Sequence, residues 1–284
     1  MIIDFHTHIL PPSVDQYRKL YLKKDHTLET LFSDSKSKMA TVEELIESMD
    51  HHGIDISVVM GMGWTDYGLA RETNDYIIEA VRKYPDRIVG FGSVNPVWGD
   101  DAIKEIQRFA SKGLKGIGEI HPQSQGFDLA DQRVLNPIVE IASENSLIFL
   151  THSSEPVGHK YPGKGKTTPE VLIGLIQNYP DLTIVCSHWG GGLPFYTLMP
   201  EIGDALKNVY FDSAASTFLY SPRIFPVVNG LLGASKILFG TDYPLLNQNR
   251  VIDQIMDSNL SQKEKNAILG DNAAKLLNLG ITTN

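Results

Sequence analysis

A single cysteine, Cys186, excludes an internal disulfide, so packing and hydrogen bonding must hold this 284-residue chain together. That scarcity fits a reducing compartment, and a cytoplasmic location is expected. No apolar run approaches the 18 or so residues of a membrane span, so no membrane partner is expected. A basic stretch followed by an apolar one is missing from the first residues, where Asp4, His6 and His8 interrupt the only candidate leader. Positive charge is also short. With 25 Lys and Arg against 34 Asp and Glu, the formal charge of −9 leaves no basic field to attract nucleic acid. Low-complexity tracts are absent, and the partner expected is a small-molecule substrate.

What the chain does have is alternation. Short apolar or β-branched runs recur as "IIDFH" (2–6), "ISVVMG" (56–61), "IVGFGSV" (88–94) and "LKGIGEI" (114–120). The second half adds "LIFLTH" (147–152), "LTIVCSH" (182–188), "VYFDSA" (209–214) and "KILFGTD" (236–242). Amphipathic segments such as "TVEELIESMDHHG" and "DDAIKEIQRFASKG" lie between them and end on Gly, as helix caps do. Eight strand–helix units in a chain near the usual ~250 residues predict a single α/β domain, a (β/α)8 TIM barrel spanning 1–284. A doubly wound open sheet is the structural rival. Two connections exceed the usual length: 9–40 after the first strand and 153–168 after the fifth. Both are expected to act as lid loops over the C-terminal face, where barrel active sites sit.

The strand ends carry the chemistry. Residues two apart in a strand share a face, so His6 and His8 project side by side. His152 ends the fifth strand, His188 the sixth and Asp242 the eighth, and Glu119 stands on the fourth. Four of the nine histidines thus fall at strand ends. Any one alone reads more naturally as a hydrogen-bonded loop or core residue; together they read as a metal site. His51 and His52 close a helix, where a cation favours the helix dipole, and read as structural. His26 and His159 lie in the long loops, and His121 follows Glu119 by two. The stretch "GHKYPGKGKTT" imitates a phosphate loop through Gly158, Gly163 and Lys164, but Gly165 stands where Ser or Thr must hold magnesium, so a nucleotide site is rejected.

A hydrolase near neutral pH needs a strong nucleophile. Metal coordination lowers the pKa of water from about 15.7 to about 7, roughly 12 kcal/mol in favour of hydroxide. His6, His8 and His152 are therefore expected to hold one divalent ion, zinc by their nitrogen-rich character, with manganese as the alternative. Asp242 completes the set and acts as base and proton shuttle, and His188 polarises the substrate or orients water. Glu119 is a further candidate ligand, for a second ion or for substrate. Trp64, Trp189 and Tyr243 follow strand ends and are candidate walls for a substrate, with Arg223 and His159 as candidate polar contacts.

This pattern resembles the amidohydrolase superfamily. The stretches "DFHTHILP", "SHWGGGLPF", "LFGTDYP" and "GDNAAKLLNL" are similar to its amidohydrolase-2 branch, which includes enzymes of the aminocarboxymuconate-semialdehyde decarboxylase type. The resemblance implies a distorted (β/α)8 barrel, one divalent metal on His6, His8, His152 and Asp242, catalytic acid/base action by His188, and a homodimer. Glu119 in "GIGEI" departs from the decarboxylase pattern and resembles branches in which a strand-four carboxylate touches metal. The expectation is a metal-dependent hydrolase of a small carboxylated or cyclic compound. A nonoxidative decarboxylase on the same scaffold is the alternative, and a catalytically silent metabolite-binding barrel the third reading.

Overall fold

Eight parallel strands pair in strict sequence order. They are β1 (Ile3–His8), β2 (Ile56–Met60), β3 (Ile88–Gly92), β4 (Gly116–Ile120), β5 (Ile148–Thr151), β6 (Ile184–Cys186), β7 (Val209–Asp212) and β8 (Ile237–Leu238). The computed structural model describes residues 1–280; the last four residues of the expected 1–284 domain lie outside the described residues. The ring is closed by the chain just beyond β8. The Phe5 N–H donates to the Phe239 carbonyl (2.7 Å), Asp242 N–H to the His6 carbonyl (2.9 Å) and His8 N–H to the Tyr243 carbonyl (2.7 Å). Closure distinguishes this (β/α)8 barrel from the doubly wound rival, whose sheet would end in two free edges.

The helices that follow the strands are α1 (Val42–His52), α2 (Tyr67–Lys83), α3 (Asp100–Ala110), α4 (Gln132–Glu144), α5 (Pro169–Asn178), α6 (Pro200–Ala205), α7 (Ile224–Leu232) and α8 (Asn249–Met256). Their starts and stops are local chemistry. Thr41 and Glu44 form a reciprocal capping box for α1, Gly53 ends it in the left-handed region, and His51 and His52 occupy its last turn. Apolar faces of these helices pack on the outside of the sheet, as Met49, Ile77, Phe109, Ile138 and Leu175 do. Inside the ring, Ile3, Phe5, Met60, Phe91, Leu150 and Val185 form a second apolar cluster with Ala273 and Leu277 from the C-terminal segment. Phe5 and Phe91 meet edge to face at 5.8 Å, each burying enough surface to contribute about 2–3 kcal/mol. The long connection 9–40 folds into short helices, among them His26–Phe32, and covers the mouth together with 153–168.

Two ladder irregularities aim the chemistry. Between Asp4 and Thr7, β1 advances three residues where β2 advances two, from Ser57 to Val59. Between Ile117 and Ile120, β4 does the same against Phe149 to Thr151 on β5. An extra residue flips every later side chain to the other face of the sheet. Phe5 therefore keeps its place in the interior cluster while His6, within the bulge, and His8, beyond it, also face inward. Glu119 is redirected by the second bulge.

Asp4, fully buried, ties the first strand to the end of the barrel. Its carboxylate accepts from Thr241 Oγ1 (2.6 Å), Thr241 N–H (3.0 Å) and Gln248 Nε2 (2.8 Å). Burial raises its pKa from 3.8 to about 6, against those hydrogen bonds, which act to lower it. The folded chain thus binds this proton more tightly than the unfolded one, and Asp4's contribution to stability declines as pH rises between these values. Asp4→Ala is expected to cost about 2–4 kcal/mol by leaving buried donors unpaired. The loss in urea denaturation should be larger near pH 5 than near pH 7.5; the reverse order would contradict a raised pKa at this position.

Candidate metal centre

At the C-terminal mouth five imidazoles converge on one carboxylate. His6, His8, His121, His152 and His188 are all buried, and so is Glu119. Glu119 Oε2 lies 2.9 Å from His121 Nε2, 3.6 Å from His6 Nε2 and 3.8 Å from His8 Nε2. Its other oxygen, Oε1, lies 3.0 Å from His152 Nδ1 and 3.4 Å from His188 Nε2, and accepts from Ser187 Oγ at 3.0 Å. Asp242 Oδ1 approaches His8 Nε2 at 3.3 Å and His6 Nε2 at 4.0 Å.

The outer nitrogens of four of these rings are spoken for. His6 Nδ1 faces Asp212 Oδ2 at 2.9 Å, and His8 Nδ1 faces the Met60 carbonyl at 3.2 Å. His188 Nδ1 faces the Ala214 carbonyl at 3.1 Å, and His152 Nε2 the Lys164 carbonyl at 3.3 Å. A carbonyl or carboxylate only accepts, so in the neutral ring each of these nitrogens carries the proton. The opposite nitrogen of each ring then points a lone pair into the centre. Orientation of this kind is what a metal-ligating histidine requires.

The spacing also fits a cation. Bonds of 2.0–2.1 Å in tetrahedral array place neighbouring ligand atoms about 3.3 Å apart. His6 and His8 stand 3.1 Å apart through Nε2, and both approach Asp242 within 4.0 Å. The sequence reading places His6, His8, His152 and Asp242 on one ion. The structure draws His6 and His8 into one compact group with Glu119, and His152 into a second with His188 and Glu119.

Electrostatics follow from the crowding. Burial opposes charge on Glu119, but His121 and His6 outweigh it and hold its pKa well below the usual range. Burial likewise opposes charge on His6; the carboxylates of Asp212 and Glu119 prevail and raise it well above the imidazole range. His188 is raised to about 9 against burial, by Glu119 and Asp242, while burial and neighbouring His121 push His152 down to about 4. The Asp242 pKa is lowered, burial opposing His8, His6 and His188. His188 (φ 51°) and Asp242 (φ 69°) also adopt left-handed backbone, which costs a non-glycine residue about 1 kcal/mol or more and is characteristic of functional positions.

A cavity of about 440 Å³ opens above this centre. Its walls are apolar, with Leu31, Phe32, Met62, Tyr161, Phe218 and Leu219, and its floor is His8, Glu119, His152, His188 and Asp242. Lys38 and His159 stand at its exposed rim. A neighbouring cavity shares Ser37, Lys38, Pro244 and Leu245 with it but none of the floor.

Several sequence expectations for substrate contacts need correction. Trp64 does not line the cavity; it is fully buried with Leu10, Val14 and Leu28 beneath the first long loop. Trp189 is equally buried, its ring 4.9 Å from Phe225 and its Nε1 donating to Ser216 Oγ. Tyr243 lines the neighbouring cavity, and Arg223 is exposed at the start of α7, outside both linings. Of the proposed contacts His159 alone borders the 440 Å³ cavity. Asp212 was missed, although "VYFDSA" places a carboxylate at a strand end; it orients His6 and accepts the His188 N–H at 3.0 Å. His121, two residues after Glu119, touches it and stacks on His152 at 4.4 Å.

A histidine and carboxylate cluster with inward lone pairs, at the C-terminal mouth of a closed (β/α)8 barrel, defines a metal-dependent barrel enzyme. Residues 3–279 match the amidohydrolase family, and the chain belongs to that family. It is 24% identical to a 2-amino-3-carboxymuconate-6-semialdehyde decarboxylase of Dictyostelium discoideum, over 98% of this chain and 91% of the relative. It is 22% identical to a gamma-resorcylate decarboxylase of Polaromonas sp., over 86% and 90%. The fold matches a 5-carboxyvanillate decarboxylase from Sphingomonas paucimobilis with a TM-score of 0.79 at 17% identity, covering 98% of both chains. It matches a dihydroxybenzoic acid decarboxylase from Polaromonas sp. JS666, crystallised with manganese, with a TM-score of 0.76 at 19% identity, covering 99% of this chain and 98% of the other. These relatives overturn the hydrolase expectation: they are decarboxylases. Among the described residues no helix is long and apolar enough to cross a membrane.

Proposed function

We propose that this enzyme is a metal-dependent nonoxidative decarboxylase acting on a small aromatic or enoic carboxylic acid. The observation that carries the reading is the run of decarboxylases among its relatives, each aligned along most of this chain. The cavity supports it: apolar walls sized for a single ring lie over a polar floor. His6, His8 and Asp242, with Glu119 beside them, would hold a divalent cation. Zinc suits the nitrogen donors, and manganese is the ion bound in three of the solved neighbours. When bound, the cation supplies positive charge that fixes and polarises the substrate's oxygens.

The chain's own groups do the rest. Lys38 and His159 at the rim attract an anionic acid, and the apolar walls orient its ring and exclude water. As the bond between the ring and the carboxyl group breaks, its electron pair stays on the ring carbon and carbon dioxide leaves. That carbon then needs one proton. Asp242, itself ionised, is placed to relay one from solvent, since its side chain is 14% exposed while Glu119 is 3% exposed beneath the imidazoles. His188 presents positive charge at Nε2 on the other side of the floor, stabilising the charge that builds up before protonation.

The test is product analysis. Zinc- or manganese-loaded enzyme, offered hydroxybenzoates, carboxyvanillate-type acids and carboxymuconate-type acids, is expected to release carbon dioxide from at least one class. No release from any acid, with turnover of amides or lactones instead, would refute the reading.

A further inference from the structure

The stretch that imitates a phosphate loop is organised around its own lysine. Gly158, Gly163 and Gly165 all take positive φ, and the chain curls round the side chain of Lys164. The Lys164 ammonium donates to the Val157 carbonyl (2.6 Å) and the His159 carbonyl (3.0 Å), and lies over the Tyr161 ring, 5.7 Å from its centre. Lys164 N–H donates to the Tyr161 carbonyl at 3.2 Å, and the Lys164 carbonyl faces His152 Nε2 at 3.3 Å. One residue thus grips the tip of the loop, its turn and an imidazole of the metal centre. Within the gripped stretch, His159, Tyr161, Pro162 and Gly163 line the 440 Å³ cavity.

We infer that Lys164 is a positioning residue, whose ammonium holds the loop 153–168 in the shape that closes one wall of the cavity over the substrate. This rests on the catalytic reading of the cavity proposed above and deepens it. The two long connections at the mouth are held in different ways. The first is pinned by buried Asp25, which accepts from the N–H groups of Leu28, Thr65 and Asp66. The second is closed at its neck by Ser154 N–H to the Thr167 carbonyl (2.8 Å), and Tyr161 Oη reaches Glu155 Oε2 at 3.3 Å. Neither of those bonds reaches the tip. Val157 there is 74% exposed, so apolar burial does not fasten it either. The tip is tied down by two hydrogen bonds from a charged donor, which are stronger than bonds between neutral groups. The wall also has to arrive in register. Gly163 sits so close to the first connection that a Cβ there would meet Leu31 Cδ2 at 2.5 Å.

The experiment removes the ammonium and puts it back. Cys186 is the single cysteine and is buried, so Lys164→Cys introduces the one accessible thiol. Alkylating that variant with 2-bromoethylamine rebuilds a lysine analogue, while iodoacetamide adds a neutral group. In manganese-loaded protein, Lys164→Cys is expected to raise KM about tenfold, with kcat changed by less than about threefold, for 2,6-dihydroxybenzoate or whichever other acid of the panel it decarboxylates. Trypsin should cut after Lys160 about tenfold faster. Bromoethylamine should reverse both changes and iodoacetamide neither. Lys166→Cys, treated alike, should match the unmodified protein; equal losses there would overturn the assignment to Lys164. So would an unchanged cleavage rate in Lys164→Cys, recovery with iodoacetamide, or faster cleavage with KM unaltered. Failure of the unmodified protein to decarboxylate any acid would sink the functional reading alone, and the cleavage rates would still decide what holds the loop.

Discussion

His6→Ala is expected to bind divalent metal on the order of 10²–10³-fold more weakly and to lose turnover by at least about 10³-fold while remaining folded. The magnitude follows from sharing about 10–16 kcal/mol of zinc binding among four ligands, about 2.5–4 kcal/mol each. His6 has no stand-in. Its Nε2 is grouped with His8 and Glu119, and its Nδ1 is locked on Asp212. The fold should survive because the interior cluster of Phe5, Phe91 and Leu150 does not include it. Metal titration by calorimetry, alongside circular dichroism, checks both halves; unimpaired turnover in a folded variant would contradict the ligand role.

Asp242→Asn is expected to lower kcat by about 10²–10⁴-fold with little change in KM, since it removes the proton carrier and leaves the cavity walls alone. The substitution is gentle on the backbone. Position 242 sits at φ 69°, a conformation asparagine tolerates better than most residues. A drop in kcat with metal still bound separates proton transfer from ligation. A variant that simply loses its metal, and regains full rate when more is supplied, would show that Asp242 only ligates.

The barrel was readable because its strands are short apolar runs separated by capped amphipathic helices, a pattern that survives without tertiary information. The end of β8 was not. "KILFGTD" reads as strand to Asp242, yet the ladder to β7 stops at Leu238, and the chain beyond it bonds back to β1. The histidines were legible from their positions at strand ends. Which atom each one offers was not, because that depends on outer partners from other strands, such as Asp212 and the Lys164 carbonyl. Glu119 is the sharpest case: nothing in "GIGEI" announces a bulge that turns this side chain into the middle of the cluster. Trp64 and Trp189 went wrong for a related reason. An aromatic residue after a strand packs under a loop as readily as over a substrate, and spacing alone does not separate the two.

The seam between the chain's two ends has one more consequence. His6 and His8 come from the first strand, Asp242 from the stretch that closes onto it, and the hydrogen bonds there join those same segments. Any ion seated among these three would act as a clasp between opposite ends of the polypeptide. Fraying at that edge and release of the ion would then be a single event, so the protein's hold on its catalyst and its resistance to unzipping would rise and fall together.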